Sequence, residues 1–380
     1  MNHLHRLQTH LFTALLMGGS AAFSWGQDSA LFEDISASAG VNFTGVHHSV
    51  AIVDYDNDGW EDIYVGSKFQ NNLLFRNMGN LTFQEVGALA GVDDPGDSHA
   101  VLWGDFNNDG WPDLITGNYL EANRFYWNNG DGTFTDMTTQ LGVGNTGPCR
   151  SLHAADFDQD GWLDLYVVNI NSQNVMWRNL EGDGFQNLTF PTATTDMGVG
   201  MGSVFFDADN DGDQDLYLTR DGNQVNRFFR NNGNGTFTQM ADEVGLDFQG
   251  NCMGVDVADI NHDGWLDLYI TDLYPSELFI NDGDGTFTAI GESSAVNDMG
   301  MSWGCAWLDF DNDSESDLYI VNDYAFAPMS NILYRGLGDL AFEIVSAGDS
   351  VLEHNYSDYG LAQGDFDRDG DMDLAVASTG

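Results

Sequence analysis

Residues 54–62 read DYDNDGWED, and the string returns at 105–113 (DFNNDGWPD), 156–164 (DFDQDGWLD), 207–215 (DADNDGDQD), 259–267 (DINHDGWLD), 309–317 (DFDNDSESD) and 365–373 (DFDRDGDMD). The copies are 51, 51, 51, 52, 50 and 56 residues apart. A second column, Phe32, Phe83, Phe134, Phe185, Phe237, Phe287 and Phe342, keeps the same beat. A fixed period near fifty residues marks a repeat architecture, in which one supersecondary unit is stacked many times. The 380-residue chain is therefore read as one domain over 30–380 rather than two or three.

The string obeys D-x-[DN]-x-D-G-x-x-D. Oxygen-bearing side chains stand at positions 1, 3, 5 and 9, and glycine stands at 6 in six of seven copies, Ser314 being the exception. The candidate metal ligands are Asp54, Asp56, Asp58 and Asp62; Asp105, Asn107, Asp109 and Asp113; Asp156, Asp158, Asp160 and Asp164; Asp207, Asp209, Asp211 and Asp215. The remaining loops offer Asp259, Asn261, Asp263 and Asp267; Asp309, Asp311, Asp313 and Asp317; and Asp365, Asp367, Asp369 and Asp373. Such a hard-oxygen set, completed by a backbone carbonyl, suits Ca²⁺, whereas zinc or copper would draw on His or Cys. The last acid falls at position 9 and leads into a strand, so the loop is not an EF-hand. Up to seven structural Ca²⁺ ions are expected, which would take the formal charge from -49 to -35 by supplying 14 positive charges.

Between loops, short apolar runs alternate with turns such as Gly130-Asp131-Gly132 and Gly283-Asp284-Gly285, a pattern of strands and hairpins without long helical periodicity. Five residues before each loop stands a small residue: Ser49, Ala100, Ser151, Gly202, Gly254, Gly304 or Gly360. Small side chains are needed where strands crowd around a common axis, which places this segment innermost in a blade. The predicted fold is an all-β, seven-bladed propeller of four-stranded antiparallel blades. Its blades span 45–88, 96–139, 147–190, 198–242, 250–292 and 300–345, with a last blade from 356–380 plus 30–36. That last blade is expected to take its outer strand from the N-terminal segment, to lack a third strand, and to continue beyond Gly380.

Sixty acidic residues against eleven Lys and Arg exclude nucleic acid and anionic membrane surfaces as natural partners. A hydrophobic content of 42% excludes disorder as the cause of that charge. Residues 1–26 have the layout of a signal peptide, with Arg6 ahead of an apolar 11–23 stretch and small residues after it, so a secreted, cell-surface or periplasmic location is expected. Nothing later reaches the roughly 20 apolar residues of a spanning helix. Cys149, Cys252 and Cys305 make an odd number and no disulfide framework.

With its acidic loops and segments of the form N-x-L-F-x-N-x-G-D-G-T-F, the chain resembles the VCBS and FG-GAP repeat proteins, whose propeller is shared with the integrin α head. The wording is closest to bacterial exported relatives of cartilage acidic protein, without their ASPIC/UnbV-type C-terminal domain. The resemblance implies calcium in the blade loops and recognition or adhesion outside the cytoplasm. A protein or glycan ligand, with the chain monomeric or part of a longer surface protein, is the first expectation. An extracellular lyase or hydrolase working in the axial funnel is the alternative, and no catalytic residue is assigned. His47, His48, His99, Arg150, Trp303 and Tyr359 stand near the inner-strand starts and are candidates to line one mouth of that funnel, with His153 farther along. Trp60, Trp111, Trp162 and Trp265, at loop position 7, are read as packing against a neighbouring blade rather than as sugar platforms.

Overall fold

The computed structural model describes residues 13–16, 31–144, 147–347, 351–352 and 356–379. It is an all-β propeller of four-stranded antiparallel blades. The first blade runs Val46–Val53, Asp62–Lys68, Leu73–Asn77 and Phe83–Glu85, each strand pairing with the next. The second, Ser98–Gly104, Asp113–Asn118, Arg124–Asn128 and Phe134–Asp136, repeats this register. Blades beginning at Cys149–Ala155, Gly200–Phe206, Cys252–Ala258 and Ser302–Leu308 follow the same plan.

The expectation of seven blades is corrected to six. Six blades are each built from four consecutive strands of one repeat, and the seventh acidic loop belongs to a composite sheet drawn from both ends of the chain. In that sheet Ser357–Gly364 pairs with Asp373–Thr379, and Glu33–Asp34 lies outermost, as expected of the N-terminal segment. The place predicted to be empty is not: Thr13–Leu16 lies antiparallel to Asp373–Thr379 on one side and to Glu33–Asp34 on the other. The bonds of a strand edge go to backbone groups, so an extended segment can satisfy them whatever its sequence. The rest of the expected leader, and Gly380, lie outside the described residues.

The inner strands stand side by side around an axis, and Ser357–Gly364 lies against both Ser302–Leu308 and Val46–Val53. The small-residue column is explained by this crowding. A Cβ on Gly202 would fall 2.5 Å from Met253 O, and one on Gly360 would fall 2.9 Å from the Ser49 Cα. The core sits between adjacent blades. Phe206, Phe228, Ile270, Phe279 and Phe287 join the fourth to the fifth. The composite sheet is held from both sides, by Phe366, Ala375 and Ala377 against Ile63, Val65 and Phe75, and by Leu374 and Val376 against Leu308, Tyr319 and Val321.

Several outer strands are followed by one short helical turn, such as Gly87–Ala90 and Ala241–Val244, closed by a residue in the left-handed region such as Gly91 or Gly245. The three cysteines are free thiols, Cys149 and Cys252 fully buried. Burial pushes the Cys149 thiol up to about 12, which leaves it inert at neutral pH. No helix among the described residues is long and apolar enough to cross a membrane.

Candidate metal loops and the axial cavity

Each acidic loop links the end of an inner strand to the start of the next strand, and the backbone itself aims its carboxylates. In the first loop the N–H groups of Asp58 and Gly59 donate to Asp54 Oδ1 and Oδ2 at 3.0 and 2.7 Å, and Trp60 N–H donates to Asp58 Oδ1 at 3.0 Å. The third loop repeats this on Asp156 and Asp160. Ser314 holds the glycine position of the sixth loop at φ 73°, and its N–H still reaches Asp309 Oδ2 at 3.0 Å. The wrap therefore survives there, in a backbone region that a side chain disfavours.

The position-9 acids are buried and serve two roles. Asp62 accepts from Tyr55 N–H and Asn77 N–H, Asp164 from Phe157 and Asn179, and Asp317 from Phe310 and Gly336. Burial raises Asp62 and Asp164 to about 8, Asp113, Asp215 and Asp317 to about 7, and Asp267 to about 6, against the pull of those N–H donors. A bound cation would return them to the charged form.

Five loops bring three carboxylates together with oxygens within 4.8 Å of one another: Asp54, Asp56 and Asp58; Asp156, Asp158 and Asp164; Asp207, Asp209 and Asp211; Asp309, Asp311 and Asp317; Asp365, Asp367 and Asp373. The Oδ1 atoms of Asp158, Asp209 and Asp311 are buried without a hydrogen-bond partner. Orphaned, hard and clustered oxygens are a donor set that fits a divalent cation such as Ca²⁺. The second and fifth loops carry Asn107 and Asn261 at position 3, and so each presents one carboxylate fewer.

Sequence reading missed an arginine column. Arg76 Nε lies 2.7 Å from Asp56 Oδ2 with Nη2 2.9 Å from Asp58 Oδ2, and Arg178 meets Asp158 and Asp160 at 2.6 and 2.8 Å. Arg230 approaches Asp209 at 3.3 Å and Arg335 approaches Asp311 at 2.6 Å. The equivalent residues in the two Asn-bearing units are Trp127 and Ile280. There the Asn amide supplies the missing donor: Asn107 Nδ2 gives to Asp109 Oδ2 at 3.0 Å and Asn261 Nδ2 to Asp263 Oδ2 at 2.9 Å. The signal was present, since Arg and Asn exclude one another across the repeats.

Position 4 of each loop has positive φ, from 53° at Asn57 to 62° at Arg368. Its side chain reaches the next loop: Asn57 Nδ2 donates to Gly110 O, Asn108 to Gly161 O, Gln159 to Gly212 O and Asn210 to Gly264 O, at 2.7 to 3.0 Å. Asn312 reaches Asp371, and the Arg368 guanidinium lies 4.5 Å over the Trp60 ring, joining the seventh loop to the first. The loop tryptophans lie close to turns of their own blades, since a Cβ on Gly79 would fall 2.9 Å from the Trp60 indole and one on Gly130 3.0 Å from Trp111, and Trp60 also meets the neighbouring sheet through Arg368, as expected.

At the opposite ends of the inner strands a cavity of about 210 Å³ opens on the axis, lined by His48, His99, Arg150, His153, Trp303 and Tyr359 among others. Six of the seven funnel candidates thus meet, while His47 is buried outside the lining, its Nδ1 3.0 Å from Ser67 Oγ. Arg150 Nη1 donates to His99 Nδ1 at 2.6 Å, and His48 Nδ1 lies 3.1 Å from the same atom. His99 Nδ1 is therefore the acceptor, which puts its ring proton on Nε2, 2.9 Å from Asp97 Oδ1. Burial first, and then Arg150 and Lys68 among the neighbouring groups, hold His48 down to about 3 and His99 to about 2, so both are neutral. His48 stacks on Tyr359 with ring centroids 4.8 Å apart, and Tyr359 OH donates to Asp323 Oδ2 at 2.9 Å.

The family model of the FG-GAP-like repeat matches residues 54–116, 105–167, 156–218, 207–270 and 309–376, well over half of the chain. This chain belongs to the FG-GAP-like repeat family. Each match opens on the first Asp of an acidic loop and runs through the next loop, so the first of them takes in the three outer strands of one blade and the inner strand of the blade after it. Cartilage acidic protein 1 of Mus musculus is 33% identical over 198 residues, covering 49% of this chain and 30% of that protein. Its Homo sapiens counterpart is 33% identical over 199 residues with the same coverage. The matched segment thus spans about a third of the length of these curated relatives.

Among solved structures, an Agrocybe aegerita lectin that recognises non-reducing terminal N-acetylglucosamine aligns with TM-score 0.52 at 17% identity, covering 79% of this chain and 80% of that one. BBS1N in complex with ARL6DN aligns at 0.55 and 9% identity, covering 88% and 93%. At these identities the likeness is one of fold, shared by FG-GAP-like repeats with proteins of other sequence.

Proposed function

We propose that this FG-GAP-like chain is a calcium-loaded recognition module that acts outside the cytoplasm, keeps Thr13–Leu16 of its leader segment as a strand of the composite sheet, and binds a protein or glycan through the face carrying the axial mouth. Calcium fills the acidic loops as scaffold, the composite sheet joins the two ends of the chain, and the protein binds its ligand without turning it over. The observation that carries this reading is a set of exposed apolar side chains on turns at the end of the strands that carries the mouth. Phe69, Leu120, Tyr274 and Phe326 follow the second strands of four blades, at 82, 71, 51 and 64% exposure. Phe69 and Tyr274 also hold positive φ, a backbone state that bulky residues avoid. Large apolar groups held in strained turns are what an interaction surface presents. The calcium-bearing ends of the strands lie on the far side, where metal stiffens corners without obstructing a ligand. The neutral axial histidines, bonded to each other and to Arg150, favour positioning over proton transfer.

The test pairs two measurements. Excess EDTA is expected to lower the melting temperature markedly, and an unchanged melt would remove calcium from the reading. Arrays of extracellular matrix proteins and glycans are then probed with the calcium-loaded protein and with an F69S/Y274S/F326S variant. Specific capture by the first and loss in the second, with the same melting temperature, is the expected result. Equal capture by both, or turnover of a captured glycan, would overturn the assignment.

A further inference from the structure

Arg150 is an exception among the arginines. Arg76, Arg124, Arg178, Arg220, Arg227, Arg230 and Arg335 each meet a carboxylate within 4 Å, and Arg368 lies over Trp60. Arg150 makes no such pair among the described residues, in a chain with sixty acids. Its guanidinium lies 5.0 Å over the Tyr119 ring, one nitrogen donates to neutral His99, and its Nε is buried without a partner. Two further residues of the same cavity carry unsatisfied buried groups, Trp303 at Nε1 and Ser203 at Oγ. A half-buried cation and an orphan indole N–H in one cavity are donors prepared for an anionic acceptor.

We infer that the axial cavity binds the carboxylate of one acidic sugar residue, such as a uronate ending a glycan, with Arg150 as its counter-ion. This deepens the recognition reading and rests on it. The cavity, about 210 Å³ and open to solvent, has room for one sugar residue, with the rest of a glycan leaving through the mouth. Its walls suit a pyranose, because Trp303, Tyr359 and His48 pack into one aromatic wall of the cavity, with Tyr359 between the other two, against which a sugar's C–H side can lie. The surrounding net charge would repel a free anion, so the preference must come from the guanidinium itself, which pairs with carboxylates through two parallel N–H bonds.

The calcium-loaded protein is titrated with sodium D-galacturonate, its methyl ester and acetate, following tryptophan fluorescence and heat. The acid is expected to bind at millimolar concentration and the ester at least about tenfold more weakly, as loss of a charge-assisted pair requires. Acetate is expected to be weaker than the acid, for want of a ring. R150Q should abolish the preference for acid over ester, and R150K should keep part of it. Equal binding of acid and ester by the unaltered protein overturns the inference without any variant, as does failure of the acid to bind. If the calcium response and the surface-dependent capture stand while galacturonate fails, only this inference falls.

Discussion

At the scale of single residues, the loops balance charge by two routes. Counting the four ligand positions and the third-strand arginine, four carboxylates with one guanidinium carry the same formal charge as three carboxylates and an amide. Ligand charge sets calcium affinity in oxygen sites, so equal charge implies loops of similar strength. R178Q, which leaves Asp158 and Asp160 without their cation, should therefore raise the calcium affinity of the third loop about three- to tenfold. The double variant D158N/R178Q copies the pattern of the second loop and should return toward the unaltered value. Isothermal titration decides this, and weaker binding by R178Q would mean that the arginine orients the loop instead of compensating it. The acids were legible in the sequence because they recur in fixed positions. The arginine column was not, because it sits 18 to 24 residues past its partner acids on another strand and is absent from two units.

At the scale of the loop and its flanking strands, the buried position-9 acids predict how pH and calcium interact. Without metal, six of these folded-state carboxyls titrate between about 6 and 8, above the ~4 of an unfolded aspartate. A raised folded value means that the folded state holds protons the unfolded chain has lost. Stability from this source is full at low pH and disappears as pH rises through 6 to 8. In EDTA the urea midpoint should consequently fall between pH 6.5 and 8, while the gain produced by calcium should grow over the same window. A calcium gain that shrank toward pH 8 would contradict it. The window stops at 6.5 because the buried histidines, His153 among them at about 4, act in the opposite sense below it. The strands and inner column could be read from spacing alone, since small residues and turns mark them. The helical turns after the outer strands could not, because four residues leave no period to detect.

For the whole molecule, the seam between the chain ends is the informative place. An asparagine at the end of the third strand reaches back one sector: Asn128 Nδ2 donates to Tyr55 O, Asn179 to Phe106 O and Asn231 to Phe157 O, each at 2.8 Å. Asn77 makes the equivalent bond to Phe366 O at 2.9 Å, across the seam. N77A and N231A should each cost about 1–3 kcal/mol, because each leaves a buried carbonyl unpaired. Only N77A should speed hydrogen exchange throughout Asp373–Thr379 relative to Asp164–Asn169. Identical exchange patterns in the two variants would show the seam to be no weaker than an ordinary joint. Sequence alone led to a vacant third place in the composite sheet, because strand pairing between distant segments leaves no periodic trace. Thr13–Leu16 fills it through backbone bonds that no side-chain pattern announces.

The tethers between loops also bear on how such a chain grows. Where they end on a glycine carbonyl, the donor at position 4 and the acceptor at position 6 are the same from joint to joint, and they run in one rotational sense. A unit copied by gene duplication and spliced beside its parent would carry a matching donor and a matching acceptor, and would dock on both neighbours without inventing an interface. Joint chemistry then sets no limit on the number of copies. The angle left around the axis does, and a ring opened by one extra copy would have to find its new curvature in the inner strands.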